Sequence, residues 1–375
     1  MTKDIRRKKK PRLRDKDSVC RARLKRLQSL LDAPLIITRP EHLFWLGGFT
    51  GTSGAICVTR TEACFITDHR YAEQALHELV PDIRCVFGAE RTERIAARQP
   101  MLKGAARLFL EEESVTLGEL ARWRDALSGH EVLARASPIT ALRRVKEPEE
   151  IAAIRNALAL AEEALAWIAP SVRPGVREIE LAARLEYYAR MKGASRAAFN
   201  LIVASGPNSA RPHGVAGSRA VQENEPVQFD IGFCCAGYCS DFSRVLFCGS
   251  RPPAALRRMH ALVEEAQRVG KGILRAGQGA DQADLKVREF FKEEGVLRQY
   301  LHTLGHGVGL EIHEAPRLSH KDQSILEAGM VVTLEPGLYR AGKYGVRLED
   351  VLLITPSGNE VLTDFPSALA CIPCR

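Results

Sequence analysis

The sequence predicts an α/β domain followed by an α+β domain, and three observations support this. Between residues 34 and 127, short β-branched runs alternate with segments of helical periodicity, the strand-then-helix pattern of an α/β unit. Around 142–150 that pattern breaks, and Pro148, a residue suited to the first turn of a helix, opens the apolar-periodic run EEIAAIRNALALAEEALAWIA. Beyond it, further helical stretches and strand runs read as helices packed on an antiparallel sheet. The expected organisation is a basic tail over 1–18, a first domain over 19–142 and a second over 143–375, since 375 residues is long for one domain.

In chain order, 21–31 reads as a short amphipathic helix and PLIITRPEHLFWLGGFTG as a strand running into a loop. The apolar runs 54–59 and 63–67, three residues apart, predict a hairpin, and Asp68 is placed to cap the helix HRYAEQALHEL. Strands at 83–87 and 106–110 alternate with helices at 91–98 and 117–127. In the second half, helices are expected at 178–191, 254–276 and 281–293. Strands are expected at 199–204, 226–231, 242–247, 330–334 and 345–354.

Composition narrows the function. With 45% hydrophobic and 27% charged residues the chain belongs with soluble globular proteins, and no run of about 18 apolar residues is present to span a bilayer. No apolar signal core follows the basic N-terminus, so a cytoplasmic protein is expected, with its ten cysteines as thiols and no structural disulfides. The net charge of +8 invites a nucleic-acid reading, but residues 1–26 alone carry 13 Lys/Arg against 3 Asp/Glu. The folded body is therefore slightly acidic. The tail reads as a disordered solvated arm, with at most nonspecific contacts to polyanions.

The chemistry concentrates in a few segments. YLHTLGHGVGLEIHE, residues 300–314, places His302, His306 and His313 among glycines that let the backbone approach a ligand, with Glu311 and Glu314 close by. Asp230 ends the strand PVQFDIG and Asp241 begins the next. Across a hairpin the two carboxylates would face and repel each other unless a cation lay between them, or else they point into water. Glu335 follows a strand in TLEPGLY, and Glu349 interrupts the apolar run VRLEDVLLI, where a buried carboxylate needs a partner. Four carboxylates and one imidazole form a hard, oxygen-rich set. It suits a pair of Mn²⁺, Co²⁺ or Fe²⁺ ions better than a structural zinc, and two such ions can share a bridging hydroxide. Cys234, Cys235 and Cys239 lie between the aspartates, but soft thiolates are not needed by such a site. Cys371 and Cys374 form a terminal CxxC without a second pair.

The ordered series DIG, YCSDFSR, GHGVG, EPG and RLED resembles the creatinase, methionine aminopeptidase and prolidase superfamily, peptidase family M24. ASGPNSARPHG, GHGVGLEIHE, GFTGTSGA and TDHRYAEQA are similar to bacterial Xaa-Pro aminopeptidases and the related Xaa-Pro dipeptidases, over roughly residues 20–365. The resemblance implies a creatinase-like N-terminal domain, a pita-bread catalytic domain and a homodimer. It implies a dinuclear centre, with Mn²⁺ preferred, held by Asp230, Asp241, His306, Glu335 and Glu349, of which Asp241 and Glu349 bridge. It further implies Glu335 as proton shuttle, His213 beside the scissile bond, His302 and His313 on the substrate carbonyl and oxyanion, and Arg347 in support. The implied activity is hydrolysis of the N-terminal Xaa-Pro bond by a metal-bridging hydroxide. The alternatives are an Xaa-Pro dipeptidase or a metal-free creatinase-like C–N hydrolase. The substrates would be peptides with proline second, the ring lying in a groove lined partly by the N-terminal domain. Trp45 and Tyr71 suit core packing better than that groove. Arg196, in GASRAAFN, departs from the small segment expected there.

Overall fold

The computed structural model describes residues 15–374. Two compact units divide the chain after Arg143. No helix among the described residues is long and apolar enough to cross a membrane, and all ten cysteines are free thiols. Of the arm expected over 1–18, residues 1–14 lie outside the described residues. The first helix, Lys16–Leu30, begins earlier than the periodicity predicts because the Asp15 side chain accepts the Ser18 N–H at 3.0 Å and caps it.

The first unit is built on a six-stranded mixed sheet. Its order is Arg84–Gly88, Ala63–Asp68, Ala55–Val58, Leu35–Ile37, Arg107–Glu111 and Glu131–Arg135. The expected hairpin forms with Val58 opposite Ala63, and the outer strands pair in parallel, each after a helical crossover, as an α/β pattern requires. Apolar side chains of the sheet, among them Ile36, Ile66, Leu108 and Leu110, meet Trp123 of the helix Leu117–Ala126 in one buried core.

Two local expectations change here. The loop expected after residue 37 contains the helix Pro40–Gly47. Pro40 and Glu41 form its first turn, and Gly48 ends it at φ 81°, a conformation that favours glycine. Asp68 caps a 3₁₀ turn, His69–Tyr71, rather than the helix Ala72–Glu78 directly. Trp45 is fully buried and its ring carries the Arg23 guanidinium at 4.6 Å, while the Tyr71 hydroxyl bonds that of Thr52 at 2.7 Å. Both aromatic residues make these contacts inside their own unit.

The second unit pairs helices with sheets. The helix Pro148–Ile168 starts on a capping box in which Glu150 reaches back to the Glu147 N–H, and it packs with Glu178–Met191. These two helices cover a four-stranded sheet ordered Ala370–Ile372, Phe242–Cys248, Glu225–Ile231 and Ile202–Ser205, and Leu165, Leu181, Phe229 and Phe242 share their core. A second pair, Ala254–Ile273 and Ala280–Glu293, covers a five-stranded sheet ordered Glu314–Leu318, Gly305–Gly307, Val331–Leu334, Asp350–Thr355 and Gly358–Val361. The single antiparallel sheet expected for this half is thus two principal sheets, joined by smaller ones. Among the described residues of this unit, the one parallel pairing sets Leu246 opposite Ala370. The run expected as one strand over 345–354 is broken. Tyr344–Arg347 pairs with Gly337–Arg340, Asp350–Thr355 belongs to the five-stranded sheet, and Glu349 sits in the break between them.

Candidate metal centre

The centre forms where these sheets meet. Ser243 lies opposite Asp230 in the ladder, and Asp241, two residues earlier, falls on the same face just outside it. The two aspartates are therefore diagonal neighbours and not a facing pair. A further hairpin, Phe233–Cys235 with Tyr238–Cys239, fills the chain between them. Gln228 of the same strand receives the Arg347 N–H at 2.8 Å and donates to the Arg347 carbonyl at 3.2 Å, which ties the neighbouring hairpin to the four-stranded sheet. Glu349 is held by its backbone as well: its N–H donates to the Ser243 carbonyl at 3.2 Å, and its carbonyl accepts from Arg244 at 2.6 Å. Glu335 follows the strand Val331–Leu334, with its N–H on the Leu304 carbonyl at 2.8 Å.

His306 comes from the short strand Gly305–Gly307, pressed between two others. A Cβ on Gly305 would lie 2.1 Å from the Thr333 carbonyl oxygen, so only glycine permits this approach. The His306 Nδ1 contacts the Gly307 carbonyl at 3.0 Å, which makes it the protonated nitrogen and leaves the Nε2 lone pair free. That nitrogen lies 3.6 Å from both Asp241 Oδ2 and Glu335 Oε1. Burial, with His313 adding to it, pushes the ring's pKa down to about 3, so the imidazole is neutral as a ligand must be.

A divalent cation fits this donor set. Asp241, His306 and Glu349 each offer a ligand atom within 4.8 Å of the others. Asp230 Oδ1 and Glu349 Oε1 are buried without a hydrogen-bond partner, a costly state for carboxylate oxygens unless a cation takes them. Burial and mutual repulsion raise the Asp241 and Glu349 carboxyls well above the usual range, and burial first of all pushes Glu335 up to about 8. Such a cluster rejects its own charge until a cation enters it.

Arg347 is the permanent cation beside this group. Its Nη2 pairs with Asp230 Oδ2, Nε donates to Ser243 Oγ at 3.1 Å, and Nη1 donates to the Pro212 carbonyl at 3.1 Å and to the Tyr339 hydroxyl at 2.7 Å. Ser243 in turn donates to Glu349 Oε2 at 2.9 Å. Tyr339 lies 2.9 Å from His302 Nε2, and His302 Nδ1 lies 2.7 Å from the Thr303 carbonyl. That carbonyl can only accept, so Nδ1 carries the proton and Tyr339 donates to Nε2. Both ring nitrogens of His302 are thereby engaged, and burial pushes its pKa down to about 4.

A cavity of about 540 Å³ opens onto the group. Asp230, Asp241, His306, Glu335, Glu349 and Arg347 all line it, as do His213, His302 and His313, with Phe199, Ile202, Pro212, Val215 and Ile312 as its apolar wall. His213 and His313 are exposed there, and the His313 ring stands edge-on to His306 at 4.3 Å. Glu314 is not part of the centre, since it pairs with buried Lys146 at 3.1 Å. Arg196 bonds the nearby carbonyls of Ala197 and Ala198. Ser243, Tyr339 and Arg317 are additions to the residues expected from sequence. Arg317 sits opposite His306 in the strand pairing and also lines the cavity. Its only sequence signal is its position on the strand that follows His313.

The profile of metallopeptidase family M24 matches residues 152–356, and that of the creatinase/prolidase N-terminal domain matches residues 20–145. The chain is 33% identical over 334 residues to an Xaa-Pro dipeptidase of Pyrococcus horikoshii, covering 89% of this chain and 93% of the relative. Among solved structures, an Xaa-Pro dipeptidase from Bacillus anthracis superposes with a TM-score of 0.90 at 35% identity, covering 94% of this chain and 99% of that one. An X-Pro aminopeptidase from Thermotoga maritima gives a TM-score of 0.87 at 33% identity, with coverages of 92% and 99%.

Proposed function

Because the chain belongs to metallopeptidase family M24, with a creatinase-type N-terminal domain ahead of the catalytic one, we propose that it hydrolyses Xaa-Pro peptide bonds with two divalent cations, Mn²⁺ preferred, at this centre. The observation that carries the proposal is the cluster of Asp230, Asp241, His306, Glu335 and Glu349 around one cavity, with buried carboxylate oxygens lacking partners. Those five residues would hold the ions. When bound, the ions supply Lewis acidity, which activates water near neutral pH and polarises the scissile carbonyl.

The protein's own groups do the rest. An Xaa-Pro bond is a tertiary amide, so its proline nitrogen must gain a proton as it leaves. Glu335, at the cavity wall, is the group to move that proton through a carboxylate oxygen. His213 and His313, exposed in the lining, are assigned to the substrate carbonyl and the charge that develops on its oxygen. His302, with neither nitrogen free, works through the Tyr339 hydroxyl that it and Arg347 hold. Arg347 fixes Asp230 and Tyr339 together. The apolar wall from Phe199 to Ile312 suits a proline ring.

Arg317 favours the dipeptidase reading over the aminopeptidase one, because a cation in the cavity lining suits the free carboxylate that a dipeptide presents. Comparing release of proline from Xaa-Pro with cleavage of Xaa-Pro-Yaa and longer peptides, in Mn²⁺, separates the two. Rates that fall steeply beyond the dipeptide, and an Arg317→Ala variant that loses this preference, are expected. Equal rates on long peptides would restore the aminopeptidase, and no cleavage of any Xaa-Pro bond would overturn the proposal.

A further inference from the structure

The hairpin between the two aspartates holds a pair of thiols that the proposed chemistry does not use. Cys234 and Cys239 stand directly opposite each other, with their sulfurs 2.8 Å apart. Their turn, Ala236 and Gly237, has φ of 48° and 87°, the two-residue type that fixes register tightly. The backbone groups of the pair bond elsewhere: the Cys239 N–H donates to the Gly309 carbonyl at 2.7 Å, and the Cys234 carbonyl accepts the Ser195 N–H at 2.8 Å. Theirs is thus the non-hydrogen-bonded kind of pair, in which Cα atoms lie about 4.5 Å apart, within the range that a disulfide spans. Cys235, one residue on, points to the other face.

We propose that Cys234 and Cys239 form an oxidation site, a dithiol that a hydroperoxide converts into a cross-strand disulfide, and that this closure lowers the activity of the adjoining centre. In the first step one thiol takes an oxygen atom from the peroxide, giving a sulfenic acid and releasing the alcohol or water. In the second, the other sulfur attacks the first, the S–S bond forms, the S–O bond breaks and water leaves. The dithiol loses two electrons and two protons overall, and the peroxide accepts them. The sulfurs must close by about 0.75 Å to reach bonding distance. Both thiols are almost fully buried, so the reaction proceeds through local opening of the hairpin and is slow.

The coupling to the centre is direct. Asp241 lies two residues beyond Cys239, and Ser240 between them is tied to Phe233 by its own N–H at 2.9 Å. On the other side, the Cys239 thiol contacts the Leu310 carbonyl at 3.6 Å, in the loop between His306 and His313. Disulfide formation removes that thiol hydrogen and draws Cys239 away from the loop. Catalysis tolerates little displacement of this kind, so the oxidised enzyme is expected to be ~10-fold less active or worse.

The activity half of this inference rests on the peptidase reading, but the oxidation half does not. The Mn²⁺-loaded protein is treated with hydrogen peroxide, alkylated without reduction and digested with trypsin, which leaves residues 220–244 as one peptide with all three hairpin cysteines. One alkyl group on that peptide, in place of three, is the expected result, with loss of Xaa-Pro hydrolysis that dithiothreitol restores. The Cys235→Ser variant should lose activity in the same reversible way, its peptide carrying no alkyl group in place of two, while Cys234→Ser and Cys239→Ser should keep their activity through the same treatment. Three alkyl groups on the treated wild-type peptide, or equal inactivation of Cys234→Ser, would overturn the inference. A disulfide that forms in a protein inactive even when reduced would sustain the oxidation site and overturn the peptidase reading.

Discussion

Removing the cations and raising the pH from 6.5 to 8 is predicted to destabilise the protein by about 2 kcal/mol from Glu335 alone. Its carboxyl, pushed up to about 8 in the folded metal-free protein, has an ordinary value of 4.5. Between those values the folded state binds more protons than the unfolded one, so stability falls as pH rises and the loss is complete above the folded value. His302 and His306 act with the opposite sign. Their depressed values of about 4 and about 3 make stability rise with pH, but only up to the ordinary histidine value of 6.5. Above it the remaining rise, about 0.4 kcal/mol for each ring, fades within about a pH unit, and the carboxylates outweigh it. About 1.5 pH units at about 1.4 kcal/mol each give the predicted loss, and the raised Asp241 and Glu349 add to it in the same direction. Urea unfolding of chelator-treated protein at the two pH values measures it. Glu335→Gln, which carries no charge, should shrink the loss by about the same amount, and Mn²⁺ should flatten the dependence by compensating the charges. A metal-free protein equally stable at both pH values, or a Glu335→Gln variant with an unchanged loss, would refute the electrostatic account of the centre.

Other substitutions test individual supports. Arg347→Met removes the partner of buried Asp230 and should cost roughly 3 to 5 kcal/mol in metal-free urea unfolding. Tyr339→Phe should lower kcat about 10- to 100-fold with metal content unchanged, because the hydroxyl shared by Arg347 and His302 is lost and the ring still packs. Gly305→Ala forces a Cβ against the Thr333 backbone and should cost about 1 to 3 kcal/mol, with weaker Mn²⁺ binding by calorimetry as His306 is displaced.

The five residues proposed to hold the metal were singled out in the sequence, four of them because carboxylates are out of place at strand ends and inside an apolar run, and His306 because glycines flank it. Glu349 in VRLEDVLLI illustrates this: a charged residue there asks for a partner. How it is presented was not legible. The apolar period runs through residues 345–354, and only the switch from one sheet to another, made by Arg244 and Ser243 on a distant strand, breaks it at Glu349. Tyr339, Ser243 and Arg317 escaped notice for a related reason. Each sits in a strand whose own sequence does not mark it, and only long-range pairing brings its polar end to the cavity or its supports. The helix Pro40–Gly47 was missed because HLFWLGG, apolar and ending in glycines, looks like a strand entering a turn, although Pro40 and Gly48 mark its ends. The longer helices with proline or capping-box starts, such as Pro148–Ile168, needed no tertiary information.

The metal-dependent cleavage of an Xaa-Pro bond is the centre of this account, and one measurement reaches it directly. The protein is stripped with a chelator, its metal content is verified as negligible, and release of free proline from an Xaa-Pro dipeptide is followed as Mn²⁺ is titrated back. No release from the stripped protein is expected, and recovery should saturate near two ions per chain, with Co²⁺ able to substitute. Full activity before any metal is returned would contradict it.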